Sequence, residues 1–177
     1  MLNPFRWSFR AQYFAGFAVC AVFLAYAYYV QFQLGIEPCP LCIFQRVGVA
    51  AMGVVFLIAG LHHPKGWGRY VYGVLIGIAA LATIGVAADH LYVQSLPEGA
   101  VPSCGAPLGM LFKFSPWLEV VKKVLTGSGE CHEVNWQFLG LAMPAWVLIW
   151  ALVLGVGGVL ANVRRPAGPT LSLATKH

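Results

Sequence analysis

The sequence predicts an all-α membrane protein, a bundle of four transmembrane helices, and three observations carry that prediction. The chain is 59% hydrophobic and only 10% charged, with a mean hydropathy of +0.74, too little polar side chain to coat a soluble domain of 177 residues. The hydrophobicity arrives in blocks nearly free of charge, at 13–30, 47–61, 70–88 and 139–161. Each is long enough, or nearly so, to cross roughly 30 Å of hydrocarbon at about 1.5 Å per residue. The charges are also segregated. Arg6 and Arg10, Lys65 and Arg69, and Arg164, Arg165 and Lys176 fall at one end of the blocks. Lys113, Lys122, Lys123 and all six acidic residues (Glu37, Asp89, Glu98, Glu119, Glu130, Glu133) fall at the other. The positive-inside bias places both termini in the cytoplasm. The net charge of +5 then reads as an insertion signal, and no nucleic acid partner is needed to explain it.

Taken in order, the first span runs over about 12–34. Its basic start and Ala25-Tyr26-Ala27 invite comparison with a cleaved signal peptide. A cut there would fall inside an apolar run that continues through Tyr28, Tyr29 and Val30, so an uncleaved helix is expected. A short stiff connection, about 35–40, leads to the second span, about 41–61, which reaches spanning length only by taking in Gln45 and Arg46. An ionisable residue inside a span is costly and is by default a functional candidate. The turn at 62–68 is punctuated by Pro64, Gly66 and Gly68; His62 and His63 beside it read as solvent-facing loop residues and receive no role.

The third span covers about 70–88, and a long outer loop, about 89–143, follows. Its Pro- and Gly-rich first half predicts irregular backbone. Ser115-Pro116-Trp117 then looks like an N-cap with proline in the first turn, and Gly127 a helix stop. Trp117, Leu118, Val121, Val124 and Leu125 form the expected apolar face of a short amphipathic helix at the membrane surface, in preference to a helix packed on the loop's own core. The fourth span is about 144–163, and the tail from Pro166 carries no motif. With no repeat, residues 1–177 form a single membrane domain.

Four of the five cysteines lie at the outer end. Cys39-Pro40-Leu41-Cys42 stands where the chain re-enters the membrane, and Pro40 suits a first helical turn. Cys42 is thereby set among free helix-start amides, whose partial positive charge stabilises a sulfur anion. Arg46, four residues on, lies one turn deeper on the same face, where it stabilises that sulfur or a negative oxygen on a partner molecule. The C-x-x-C motif by itself also fits a structural bridge, and Arg46 also fits an interfacial residue or a partner of Glu37. Zinc held by Cys39, Cys42, Cys104 and Cys131, with His132, is a further alternative, weakened by the 27-residue spacing of the second pair; no metal is assigned. Cys104 and Cys131 stand in Gly- and Pro-rich chain on the oxidising side, where paired thiols become a disulfide, and Cys104 has a context that a partner protein can reach. Cys20, mid-span among Ala, Val and Phe, is a buried apolar residue. His90 is either a site residue or an interfacial histidine paired with Asp89.

The run Cys39-Pro40-Leu41-Cys42-Ile43-Phe44-Gln45-Arg46, with Asp89-His90, Cys104, Cys131 and 136–141 ahead of Met143-Pro144, resembles the bacterial disulfide bond formation protein B (DsbB) family over nearly the whole chain. That family comprises inner-membrane quinone reductases that reoxidise the periplasmic thiol oxidase DsbA. The resemblance implies catalytic roles for Cys39, Cys42, Cys104 and Cys131. Cys104 is attacked by the reduced partner and releases Cys131, which attacks Cys39 and frees the Cys42 thiolate beside a bound quinone, ubiquinone or menaquinone. Arg46 and His90 are implied as quinone-binding, with Trp136 and Met143 as walls; Gln45, uncharged, receives no role. The implied location is the bacterial inner membrane, with periplasmic loops at about 35–40 and 89–143. Haem, flavin and iron–sulfur motifs are absent from the sequence, as suits a lipid-soluble acceptor. Two rivals stand beside this reading: a vitamin K epoxide reductase-like enzyme running electrons the other way, and a disulfide-stapled or metal-binding membrane scaffold.

Overall fold

The computed structural model describes residues 8–35, 38–64, 66–97, 113, 116–125, 131 and 137–163. Four helices long and apolar enough to cross a membrane dominate it: α1 (Phe9–Leu34), α2 (Pro40–His62), α3 (Gly68–Ser95) and α5 (Met143–Val163). Between the last two lie a short helix α4 (Trp117–Leu125) and a two-stranded hairpin, β1 (Gln137–Phe138) and β2 (Leu141–Ala142). Large apolar side chains on the outside of the bundle, among them Val22, Phe32, Val47 and Leu81, are the lipid-facing surface expected of such a protein.

Local chemistry sets the ends of these helices. The Ser8 hydroxyl accepts from the Ala11 amide and caps α1, and Gly35 closes it in the left-handed region at φ +64°. Cys39 caps α2 with its sulfur, and Pro40 occupies the first turn as the sequence leads one to expect. At the opposite end His63 takes the left-handed C-cap at φ +46° and stacks on Phe9, while His62 Nδ1 lies 2.8 Å from the Tyr72 hydroxyl. The two histidines are thus part of a helix terminus. The hairpin turn uses Leu139 (φ +51°) and Gly140 (φ +77°), the paired positive φ that a two-residue connection of right-handed twist needs.

Two departures from the sequence reading affect the site. Helix α3 runs to Ser95, beyond the end of its charge-free block at residue 88, so His90 lies within the helix. Helix α4 buries Val120 and Val124, whereas Trp117 and Leu118 are exposed; of the expected face, Trp117 and Leu118 thus part from Val124, and the Leu125 side chain lies outside the described ones. Val120 and Val124 pack into a cluster with Cys39, Leu41, Val93 and Cys131, a core drawn from α2 and α3 and invisible to a reading of the loop alone.

The main core lies mid-bundle, around Tyr13, Cys20, Met52, Phe56, Ile76 and Ala151. Helices α3 and α5 make the most extensive pairing, followed by α1 with α2 and α2 with α3. Small residues allow this approach: a Cβ on Gly155 would come within 2.6 Å of Ala80, and one on Gly158 within 2.9 Å of Ile76. At the end away from Cys39, Arg10 donates to the Gly60 carbonyl and Arg69 to the Ala161 carbonyl, cations placed on helix C-termini. Helices α1 and α5 barely touch. The bundle is open along that seam.

Candidate active site

The helix start that Pro40 creates brings two sulfurs together. Cys39 Sγ accepts from the Cys42 amide at 3.3 Å and stands 3.1 Å from Cys42 Sγ. Cys39 is buried, while Cys42 is half-buried and borders a cavity. A sulfur in the first turn of a helix meets amides with no intrahelical partner, the arrangement that supports an anion.

The cavity, of about 390 Å³, occupies the open seam between α1 and α5 at the Cys39 end of the bundle. Its wall is mostly apolar, with Phe23, Val30, Met143 and Trp150 among its residues, and its polar members include Tyr26, Cys42, Gln45 and Arg46. Phe23 and Trp150 meet edge to face, centroids 5.8 Å apart, as a bridge between α1 and α5. The hairpin leans over it: Phe138 lines the cavity, and its carbonyl accepts from Trp146 Nε1 at 3.1 Å.

Arg46 crosses from α2 to α1. Its guanidinium donates to Gln31 Oε1 and, at 3.1 Å, to the Ala27 carbonyl, and it lies 5.3 Å over the Tyr28 ring. Among the described residues no carboxylate pairs with it, and Glu37, the partner considered from sequence, lies outside them. Dipoles and a ring face thus hold the charge in place without neutralising it.

His90 sits on the other side of the cysteines. It is 2% exposed; its Nε2 lies 3.8 Å from Cys39 Sγ and 3.2 Å from the Cys131 carbonyl oxygen, and its Nδ1 lies 3.0 Å from Gln45 Nε2. The sequence reading set this ring beside the quinone or paired it with Asp89. In the fold it is absent from the cavity wall and reaches it through Gln45 and through the Cys39–Cys42 sulfur pair, because α3 packs behind the C-x-x-C turn. Cys131 is buried in the same cluster. The fold therefore brings Cys39, Cys42, Cys131, His90 and Arg46 to one end of the bundle, while Cys104 and Trp136 lie outside the described residues.

Sequence reasoning missed Gln45. An amide in an apolar block, one residue from Arg46, is the available signal, and its lack of charge makes that signal weak. Gln31 and Tyr28, which hold Arg46, carried no comparable signal.

Among the described residues, three metal-capable side chains converge: the ligand atoms of Cys39, Cys42 and His90 lie within 4.8 Å of one another. At 3.1 Å, however, the sulfurs are closer than the edge of roughly 3.7 Å between two thiolates on tetrahedral zinc with bonds of about 2.3 Å. The spacing suits sulfurs that make and break a bond with each other.

Comparison with known proteins agrees with this chemistry. Residues 9–161 match the family described as Disulfide bond formation protein DsbB. Disulfide bond formation protein B of Xanthomonas axonopodis pv. citri is 51% identical over 164 residues, covering 92% of this chain and 95% of that one. The protein of the same name from Xanthomonas oryzae pv. oryzae is also 51% identical over the same shares. That from Xylella fastidiosa is 43% identical, again over 92% of this chain and 95% of its own.

Proposed function

This chain belongs to the DsbB family of disulfide bond formation proteins and is a multi-pass inner-membrane thiol–disulfide oxidoreductase, and on that premise we propose that it reoxidises a periplasmic DsbA-like thiol oxidase and delivers the electrons to a membrane quinone. In this reading the chain is one membrane domain, both termini are cytoplasmic, and the end bearing Cys39 faces the periplasm, as the distribution of basic residues supports.

The observation that carries the reading is the cavity wall, where Cys42 and Arg46 are the reactive and charged groups of a largely apolar space between α1 and α5. About 390 Å³ is within the range of pockets that enclose a ring-sized ligand, and its apolar lining suits a lipid-borne one. Arg46 would hold a ring oxygen, and Met143 would wall the pocket. A quinone, when bound, supplies a two-electron, two-proton acceptor.

The rest is sulfur exchange, each step a thiolate attacking a disulfide. The reduced oxidase attacks Cys104 of a Cys104–Cys131 bridge; that bond breaks and the electron pair leaves on Cys131. The Cys131 thiolate attacks Cys39, the Cys39–Cys42 bond breaks, and Cys42 leaves as thiolate among the helix-start amides. The oxidase's second thiolate then displaces Cys104, completing its own disulfide. Cys104 in turn attacks Cys131, restoring the loop bridge and releasing Cys39. Two electrons have moved to the Cys39–Cys42 pair, which closes again as they leave for the acceptor.

Purified protein mixed with reduced thiol oxidase and a soluble ubiquinone or menaquinone analogue should consume one quinone per oxidase disulfide formed. Cys104→Ser should abolish turnover, and an unchanged rate in that variant would defeat the relay.

A further inference from the structure

His90 and Gln45 are both buried, at 2% and 4% exposure, and so are Cys39 and Cys131. Water is therefore a poor substitute for any partner these groups lack, and their hydrogen bonds define each other. The Cys131 carbonyl can only accept, so His90 Nε2, 3.2 Å away, must carry the hydrogen. In a neutral ring Nδ1 is then the acceptor, and the Gln45 amide nitrogen stands 3.0 Å from it as donor. The same Nε2 lies 3.8 Å from Cys39 Sγ. A continuous line thus runs from the cavity wall through an amide and a ring to the backbone of one cysteine and the sulfur of another.

We propose that Gln45 is a positioning residue for the exchange between the two cysteine pairs: its amide fixes the tautomer of His90, and the ring clamps the Cys131 backbone beside the Cys39 sulfur. This rests on the relay proposed above and deepens one step of it. When the Cys131 thiolate attacks, the Cys131–Cys39 bond forms, the Cys39–Cys42 bond breaks and the electron pair leaves on Cys42. No proton moves, and His90 keeps its hydrogen throughout. The clamp acts by holding Cys131 near, raising its effective concentration at Cys39. An apolar residue at position 45 takes the Gln45 donor from Nδ1, lets the ring exchange tautomers and weakens its hold on the Cys131 carbonyl.

The clamp can be measured without any quinone. Full-length protein carrying Cys42→Ser and Cys104→Ser retains Cys39 and Cys131, and their bridge can be equilibrated with a dithiothreitol redox buffer. Adding Gln45→Leu should lower the equilibrium constant for that bridge roughly tenfold, the loss of one buried hydrogen bond. Nitrogen-15 spectra of histidine-labelled protein provide a readout that general loosening of the fold does not imitate. The resonance lost in His90→Asn should report the Nε2–H tautomer in the unsubstituted protein and a mixture in Gln45→Leu. An equilibrium constant unchanged within about twofold, or an Nδ1–H ring in the unsubstituted protein, overturns the proposal; the second observation needs no substitution at position 45. Turnover of wild-type protein with reduced oxidase and quinone is scored separately. Failure there defeats the relay, whereas normal turnover with an unaltered bridge defeats only the clamp.

Discussion

Arg46 carries a charge into a span and satisfies it with the Gln31 side chain, the Ala27 carbonyl and the Tyr28 ring, all from α1. A half-buried cation held by dipoles and a ring face still attracts a negative partner, and the adjoining cavity is where such a partner would enter. Arg46→Ala is therefore expected to raise the quinone KM by roughly ten- to a hundredfold, the worth of a charged hydrogen bond in a dry site. Steady-state kinetics over a quinone series would measure this, and a KM unchanged by the substitution would remove Arg46 from the binding site. Arg46 stood out in the sequence because charge inside hydrocarbon requires a reason. Gln45 did not, because a neutral amide creates no such contradiction until its burial against His90 is known. The sequence singles out His90, and the fold sets its ring against Cys39, the Cys131 carbonyl and Gln45. Its chemistry was visible, and the direction in which α3 turns its side chain was not.

At the scale of elements, the two contacts that shape the site differ in kind. Helix α4 docks through Val120 and Val124 onto the cluster containing Cys39 and Cys131, tying the outer loop to the helix start where the sulfurs meet. Trp117 and Leu118 remain exposed beside it, so one short helix has both a packed face and an apolar free one. The α3–α5 pair instead depends on close backbone approach at Gly155 against Ala80. Gly155→Leu is expected to separate these helices and lower the thermal midpoint in detergent, by an amount equivalent to about 1–3 kcal/mol. Gly157→Leu provides the control, since a Cβ there meets nothing within 4 Å. Equal effects of the two substitutions would mean that helix propensity, and not the α3–α5 contact, limits stability. The weak α1–α5 pairing completes the design, because a seam that two helices do not fill is where a lipid-soluble molecule can enter.

For the whole molecule, the orientation in the membrane decides whether the relay faces an oxidising space. In a cysteine-substituted background, Trp67→Cys in the turn before α3 should react with an impermeant maleimide only after the inner membrane is opened. Leu139→Cys in the hairpin should react in intact spheroplasts. The reverse pattern would invert the bundle and place the cysteine pairs in the reducing cytoplasm. By itself the sequence determined the four spans, the helix start at Pro40 and the cysteines and arginine that stand there. Those features follow from hydrophobic length, charge and the special backbone of proline, which are properties of contiguous residues. Only the tertiary structure decided that Arg46 is anchored by α1, that His90 turns to Cys39 and Cys131, that Gln45 links that ring to the cavity, and that α4 buries Val120. Each of these depends on which helix faces move together, on contacts such as the 45 residues of chain separating Gln45 from His90. A local pattern of hydrophobicity says that a face must be covered, but the packing of the whole bundle selects what covers it.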